Sequence, residues 1–154
     1  MSEPYAFEEL LLRGVAQTLV ANPNSRVPLA WDDESDPNYV YPDDAVGIYF
    51  DTRPLIDGGS ITLTEYTVSD DVSLSDSVEG VQLVIQHRDR SVVKLITSDV
   101  FNLLHGRERS MLGDVTLVSA TRSSGTNMGQ DANERQGRIE NYYLTVHRPS
   151  PNRL

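Results

Sequence analysis

The sequence predicts an α+β fold: a single mixed or antiparallel β-sheet with two helices packed on one face, in the order α-β-β-β-α-β-β. Three observations predict it. Apolar residues recur at spacings of three and four near the N-terminus and again around residue 100, as on one face of an amphipathic helix. Other segments alternate apolar and polar residues with the period of a half-buried strand. No internal repeat or linker breaks the order, so residues 1–154 read as one domain, with its helices laid on its sheet.

The first helix is expected over Tyr5 to Val20. Phe7, Leu10, Leu11, Gly14, Val15, Thr18 and Leu19 form its stripe. Glu3, Glu8 and Glu9 lie toward its N-terminal end, where the helix dipole favours negative charge. Asn22-Pro23-Asn24 stops it. Residues 22–44 read as irregular, because Pro23, Pro28, Pro37 and Pro42 rule out a regular element through the middle. Connections longer than about 12–15 residues are usually functional or disordered. The single tryptophan, Trp31, lies here with Tyr39 and Tyr41. Trp31 either pins this loop to the core or anchors an interface, where Trp and Tyr are enriched.

Strands are expected at Ala45 to Asp51, at Ser60 to Val68 and at Val81 to His87, with Asp57-Gly58-Gly59 as a turn. Together they suggest an antiparallel meander. The Ser/Asp stretch 69–80 reads as a mobile hairpin tip. A second helix is expected over Ser91 to Leu104, with Ser91 as N-cap and Gly106 at the C-terminal left-handed position. Val92, Val93, Ile96 and Thr97 are β-branched and leave a strand open at its start. Asp114 to Thr121 and Ile139 to His147 read as two more strands, joined by a glycine-rich loop over 123–137. Pro149-Ser150-Pro151 is expected to end the ordered structure.

Of 154 residues, 23 are acidic and 13 basic, giving a net charge of −10. The charge is unevenly placed. Residues 1–80 hold 16 acidic and 3 basic side chains, a net of −13, whereas residues 81–154 hold 7 acidic and 10 basic, a net of +3. This asymmetry is either a solvated acidic surface or a device for self-association, the acidic face of one subunit meeting the basic face of the next. It argues against a nucleic-acid binder, since duplex affinity rests on Lys and Arg, and Lys94 is the one lysine. The chain has no Cys, which excludes disulfides, thiolate metal sites and a Cys nucleophile. A domain of this size buries about 68–70% of its unfolded surface and needs no such staples. Met1-Ser2-Glu3-Pro4 is not basic, no signal-type core follows, and no apolar run approaches the ~20 residues of a membrane span. These features predict a soluble, unexported product.

Motifs for chemistry are few. His87, His105 and His147 fall into no metal-binding spacing. Asp32-Asp33-Glu34-Ser35-Asp36 resembles the start of a calcium loop, but Pro37 stands where the sharp turn needs Gly. There is no G-x-S-x-G elbow and no phosphate-binding glycine loop followed by Lys. No catalytic residue, cofactor or metal is expected. A metal-dependent hydrolase using the acidic loops would require a cleft with converging, perturbed carboxylates.

The order of several weak motifs is more telling. Arg53-Pro54 forms a corner after a short strand, and Leu103-Leu104-His105-Gly106 ends the second helix. Then Gly129-Gln130-Asp131 and Gly137-Arg138 lead into Asn141-Tyr142-Tyr143-Leu144-Thr145-Val146. Over most of the chain this order resembles the small tail-terminator proteins of long-tailed bacteriophages, also called minor capsid or tail-completion proteins. The acidic stretch 69–80 is expanded relative to that pattern, and head-to-tail joining proteins share much of the same fold.

The resemblance implies a virion structural protein without enzymatic activity, located at the head–tail junction and assembled in the host cytoplasm. It would form a ring, typically of six subunits, that caps the tail tube, ends tube polymerisation and docks the head connector. Its partners would be itself, the tail tube protein and the connector or neck proteins. DNA would pass through its lumen without specific binding, and no membrane would be involved. A head–tail adaptor that assembles only in the particle is the alternative. The expected contact residues are Trp31, Tyr39, Tyr41, Arg53, Asp131, Arg135 and Arg138. Arg135 and Arg138 suit fork-like pairing with carboxylates. For Arg138 the partner is either on a neighbouring subunit or is its own Asp131 or Glu140.

Overall fold

In the computed structural model, residues 5–32, 39–52, 58–72 and 74–153 are described. Glu3, Asp33 to Pro37, the Arg53-Pro54 corner and Asp57 lie outside them.

The N-terminal stripe forms helix α1 (Phe7–Val20), which buries Leu11, Leu12, Val15, Ala16 and Leu19. Gly14 faces the carbonyl of Leu112 so closely that a Cβ would collide with it. The second stripe forms helix α2 (Arg90–Leu104), burying Val93, Ile96, Val100 and Leu104. Burial of that face outweighs the weak helix propensity of its β-branched residues. The N-cap is Asp89 rather than Ser91: the Asp89 carboxylate accepts from the Ser91 N–H at 2.8 Å. Gly106 takes φ +85° after the helix and donates its N–H to the Ala120 carbonyl at 2.9 Å.

Seven strands form one sheet: β1 (Leu29–Ala30), β2 (Val46–Phe50), β3 (Ser60–Asp70), β4 (Asp76–His87), β5 (Glu108–Leu112), β6 (Val115–Gln130) and β7 (Gln136–His147). Their spatial order is β1-β2-β3-β4-β7-β6-β5. The element order is therefore α-β-β-β-β-α-β-β-β, with two strands more than the sequence reading. β1 escapes that reading because it is two residues long and directly follows Pro28, whose carbonyl accepts from the Val46 N–H at 2.8 Å. The expected meander is also corrected. β3 and β4 are antiparallel, but β2 runs parallel to both β1 and β3, so the sheet is mixed.

Ile61, Leu63, Val81, Leu83, Ile85, Tyr142 and Leu144 project from the sheet into one cluster with both helices. The helices do not rest on a flat face. α1 touches β1 and β3 near one edge of the sheet and β5 and β6 at the other. A single helix can do this only if the sheet curls around it, as a half-barrel. α2 lies over β4, β7 and β6, in the middle of the curl.

Two expected loops prove to be strand. β6 and β7 pair continuously from Leu117↔Val146 to Gln130↔Gln136, so the 123–137 stretch is a long hairpin arm. Its glycines serve close approach: at Gly125 a Cβ would collide with the Glu140 carboxylate, and Gly137 lies under Met128. Register shifts near Leu117, Arg122 and Asn127 mark bulges that twist the arm. Likewise β3 and β4 pair out to Asp70↔Ser77, leaving only residues 71–75 between them. The C-terminus stays ordered past Pro151. The Arg153 guanidinium donates to the carbonyls of Leu74 and Arg148, each at 2.9 Å, and of Asp76.

Candidate functional site

Where α2 crosses the β6–β7 arm, the two leave a groove of about 510 Å3. Its apolar floor includes Val93 and Phe101, and Arg90, Lys94, Arg122 and Arg138 line it. Alternation on β6 and β7 brings Arg122 and Arg138 onto the core side of the arm, either side of Glu140. Arg122 Nη1 lies 3.1 Å from Glu140 Oε1, and Arg138 Nε lies 3.2 Å from Oε2. Glu140 is fully buried, and the two arginines keep it compensated in that dry position. Arg138 also donates to Asn127 Oδ1 at 3.2 Å. The Arg122 guanidinium stands 4.4 Å above the Phe101 ring, which stacks on His105 in turn. Arg90 and Lys94, one turn apart on the exposed side of α2, form no ion pair among the described residues. Four cations thus face one carboxylate, leaving a groove that favours an anionic partner.

The far end of the arm is closed by Asp131 and Arg135. Asp131 Oδ1 accepts from the N–H groups of Asn133 and Arg135, both at 2.9 Å, and Oδ2 accepts from Arg135 Nε at 3.0 Å. The Arg135 N–H bond is the main cause that holds the Asp131 carboxyl below its ordinary range, with the Asn133 N–H and the Arg135 guanidinium adding to it. Gln86 Nε2 donates to the same carboxylate at 3.3 Å. Arg135 is buried, and its Nε engages Asp131 of its own turn. Within its own subunit Arg138 pairs with Glu140.

The aromatic residues sit elsewhere, along β1 and β2. Trp31 is half-buried, stacks on Phe50 at 5.8 Å and carries the Arg13 guanidinium 5.2 Å above its ring. That is the geometry of a residue pinning its segment to the core. Tyr41 donates to the Ile48 carbonyl at 2.9 Å and lies between Tyr39 and Tyr49. Tyr39 is 42% exposed at the end of this row. The structure therefore groups Asp131, Arg135 and Arg138 on one arm and Trp31, Tyr39 and Tyr41 at the opposite side of the sheet. Arg53 lies outside the described residues.

A second ionic site was invisible in the sequence. Glu79 is fully buried on β4, facing the Glu65 carboxyl. Burial first, and then the neighbouring Glu65 carboxyl, raises its pKa from 4.5 to about 8. Arg148 opposes the shift from 3.5 Å but also pairs with Glu8 at 2.9 Å, so its charge is shared. Among the described residues no group of three or more His, Asp or Glu side chains is placed to hold a metal ion.

No protein-family profile matches this chain, and no curated protein does. Among solved structures, the chain is similar to one from the "virion of native gene transfer agent (GTA) particle". That similarity has a TM-score of 0.65 at 16% sequence identity, covering 93% of this chain and 98% of the other. At this identity the two share a fold.

Proposed function

We propose that this protein is a structural component of a phage-like virion and, within it, the tail terminator: a ring, of six subunits by the family resemblance, that caps the tail tube and docks the head connector. The observation that carries the reading is the near full-length likeness to a chain of the gene transfer agent virion. It coincides with the motif order that independently resembles tail-completion proteins. The charge layout supports it. A closed ring needs two different patches on each subunit, and residues 1–80 carry a net charge of −13 against +3 for residues 81–154. A net charge of −10 suits a conduit through which DNA slides without adhering. On this reading the protein has no catalytic role and needs no cofactor.

The test is deletion of the coding sequence from the genome that carries it, followed by electron microscopy of the particles. The terminator role predicts tubes of uncontrolled length and heads without tails. Tails of normal length beside unjoined heads would instead identify a head–tail adaptor. Intact, infectious particles would overturn both.

A further inference from the structure

We propose that the basic groove between α2 and the β6–β7 arm is the seat for the tip of the β3–β4 hairpin of a second copy of this chain. The inference deepens the ring reading and rests on it. The tip carries Asp70, Asp71 and Asp76, the last 3.4 Å from His147 and with Arg148 and Arg153 lining the hollow beside them, and it exposes apolar side chains: Val72 is 86% and Leu74 57% exposed. The groove offers the complement, with Val93 and Phe101 on its floor and Arg90, Lys94, Arg122 and Arg138 on its walls. Apolar surface meets apolar surface, ringed by opposite charges, the usual layout of a protein interface.

The topology makes the contact intermolecular. β4 runs from Asp76 at the tip to His87, and α2 begins at Arg90 directly after it. The far end of the β6–β7 arm lies at that same end, because His87 pairs with Gln136. Along β4 the groove runs from the His87 level, where Gln136 pairs, back to the Val81 level, where Tyr142 carries Arg122 opposite it, so it lies roughly 17 to 36 Å from the tip at ~3.3 Å per residue. A subunit cannot seat its own tip. Two different patches at opposite ends of one strand form a head-to-tail contact, which closes a ring when the rotation between subunits permits. The neighbouring edge is open as well: from Ser123 to Gln130 the outer side of β6 pairs with no strand among the described residues. Open edges of this kind are covered in assemblies.

The experiment compares native mass by light scattering for wild type, the groove variant Arg90→Asp/Lys94→Asp, the tip variant Asp70→Lys/Asp76→Lys, and the four substitutions combined. Circular dichroism confirms that each folds. The expected result is a ring-sized wild type, a single-subunit mass for either charge-reversed variant, and recovery of the ring in the combined variant. A ring that survives groove reversal overturns the seat and leaves the ring reading standing. A ring lost on groove reversal but unaffected by tip reversal overturns the tip as occupant. If wild type itself stays at subunit mass, the self-assembling ring fails. The variant Val72→Cys/Thr97→Cys then decides the docking alone, since the chain has no other thiol. Oxidised concatemers uphold the contact, and monomers only overturn it.

Discussion

Glu79 and Glu140 are the same residue type, both fully buried on the core side of adjacent strands, yet they meet opposite fates. Glu140 lies between two arginines at 3.1 and 3.2 Å and serves as the counter-ion that holds them at the groove. Glu79 faces another carboxyl and shares a single arginine with Glu8, so its proton is retained to about pH 8. The partner set, not burial, decides which arm of the molecule presents positive charge. The β6–β7 arm is organised around a buried anion and holds its cations on the core side, at the groove. The β3–β4 arm holds a protonated acid inside and shows acids outward.

The largest expected effect breaks the first half of this comparison. Removing both arginines, as Arg122→Ala/Arg138→Ala, leaves Glu140 buried and uncompensated and costs about 3–5 kcal/mol of unfolding free energy. Arg138→Ala alone costs less, because Arg122 remains; denaturant titration of the three proteins separates these outcomes. Next is Gly125→Ala, whose methyl collides with the Glu140 carboxylate. Overpacking of this kind costs about 1–3 kcal/mol, read from the same titration.

Glu79 sharpens the other half. In the unfolded chain its carboxyl ionises near 4.5, whereas in the folded protein it keeps its proton to about 8. Between those values the folded state binds more protons, so this group's contribution falls as pH rises from about 4.5 to about 8 and is fully present below that window. Glu79→Gln is expected to flatten that slope and to add on the order of 1 kcal/mol at pH 8, a rise of ~2–4 °C in Tm. A pH profile of thermal unfolding checks both. A more local effect is expected for Asp131→Ala: faster amide exchange at Asn133 and Arg135, with the core amides unchanged. The smallest effect on the subunit is that of Asp70→Lys on the exposed tip, within ±0.5 kcal/mol.

The helices and the buried halves of the strands were legible because burial imposes a period. Leu11, Val15 and Leu19 on α1 repeat every four residues, and Val81, Leu83 and Ile85 on β4 alternate. The outer halves of both hairpins were not. Once a strand leaves the core both its faces meet water, and pairing through backbone hydrogen bonds leaves no mark on the side chains. Gly125 and Gly129 therefore read as loop residues, although one serves close packing on Glu140 and the other a bulge at φ +78°. The site was half legible for a related reason. Asp131, Arg135 and Arg138 are close in sequence, and so their local pairing could be weighed. Arg90, Lys94 and Arg122 converge only when α2 crosses β6, a tertiary event that no local spacing records.

The central claim is that oppositely charged arms of one chain join copies into a ring. The most direct measurement is the native mass of the purified wild-type protein across concentration and salt. The account predicts a ring-sized species at low ionic strength that dissociates to single subunits as salt screens the contact. A single-subunit mass at every concentration and salt would contradict it.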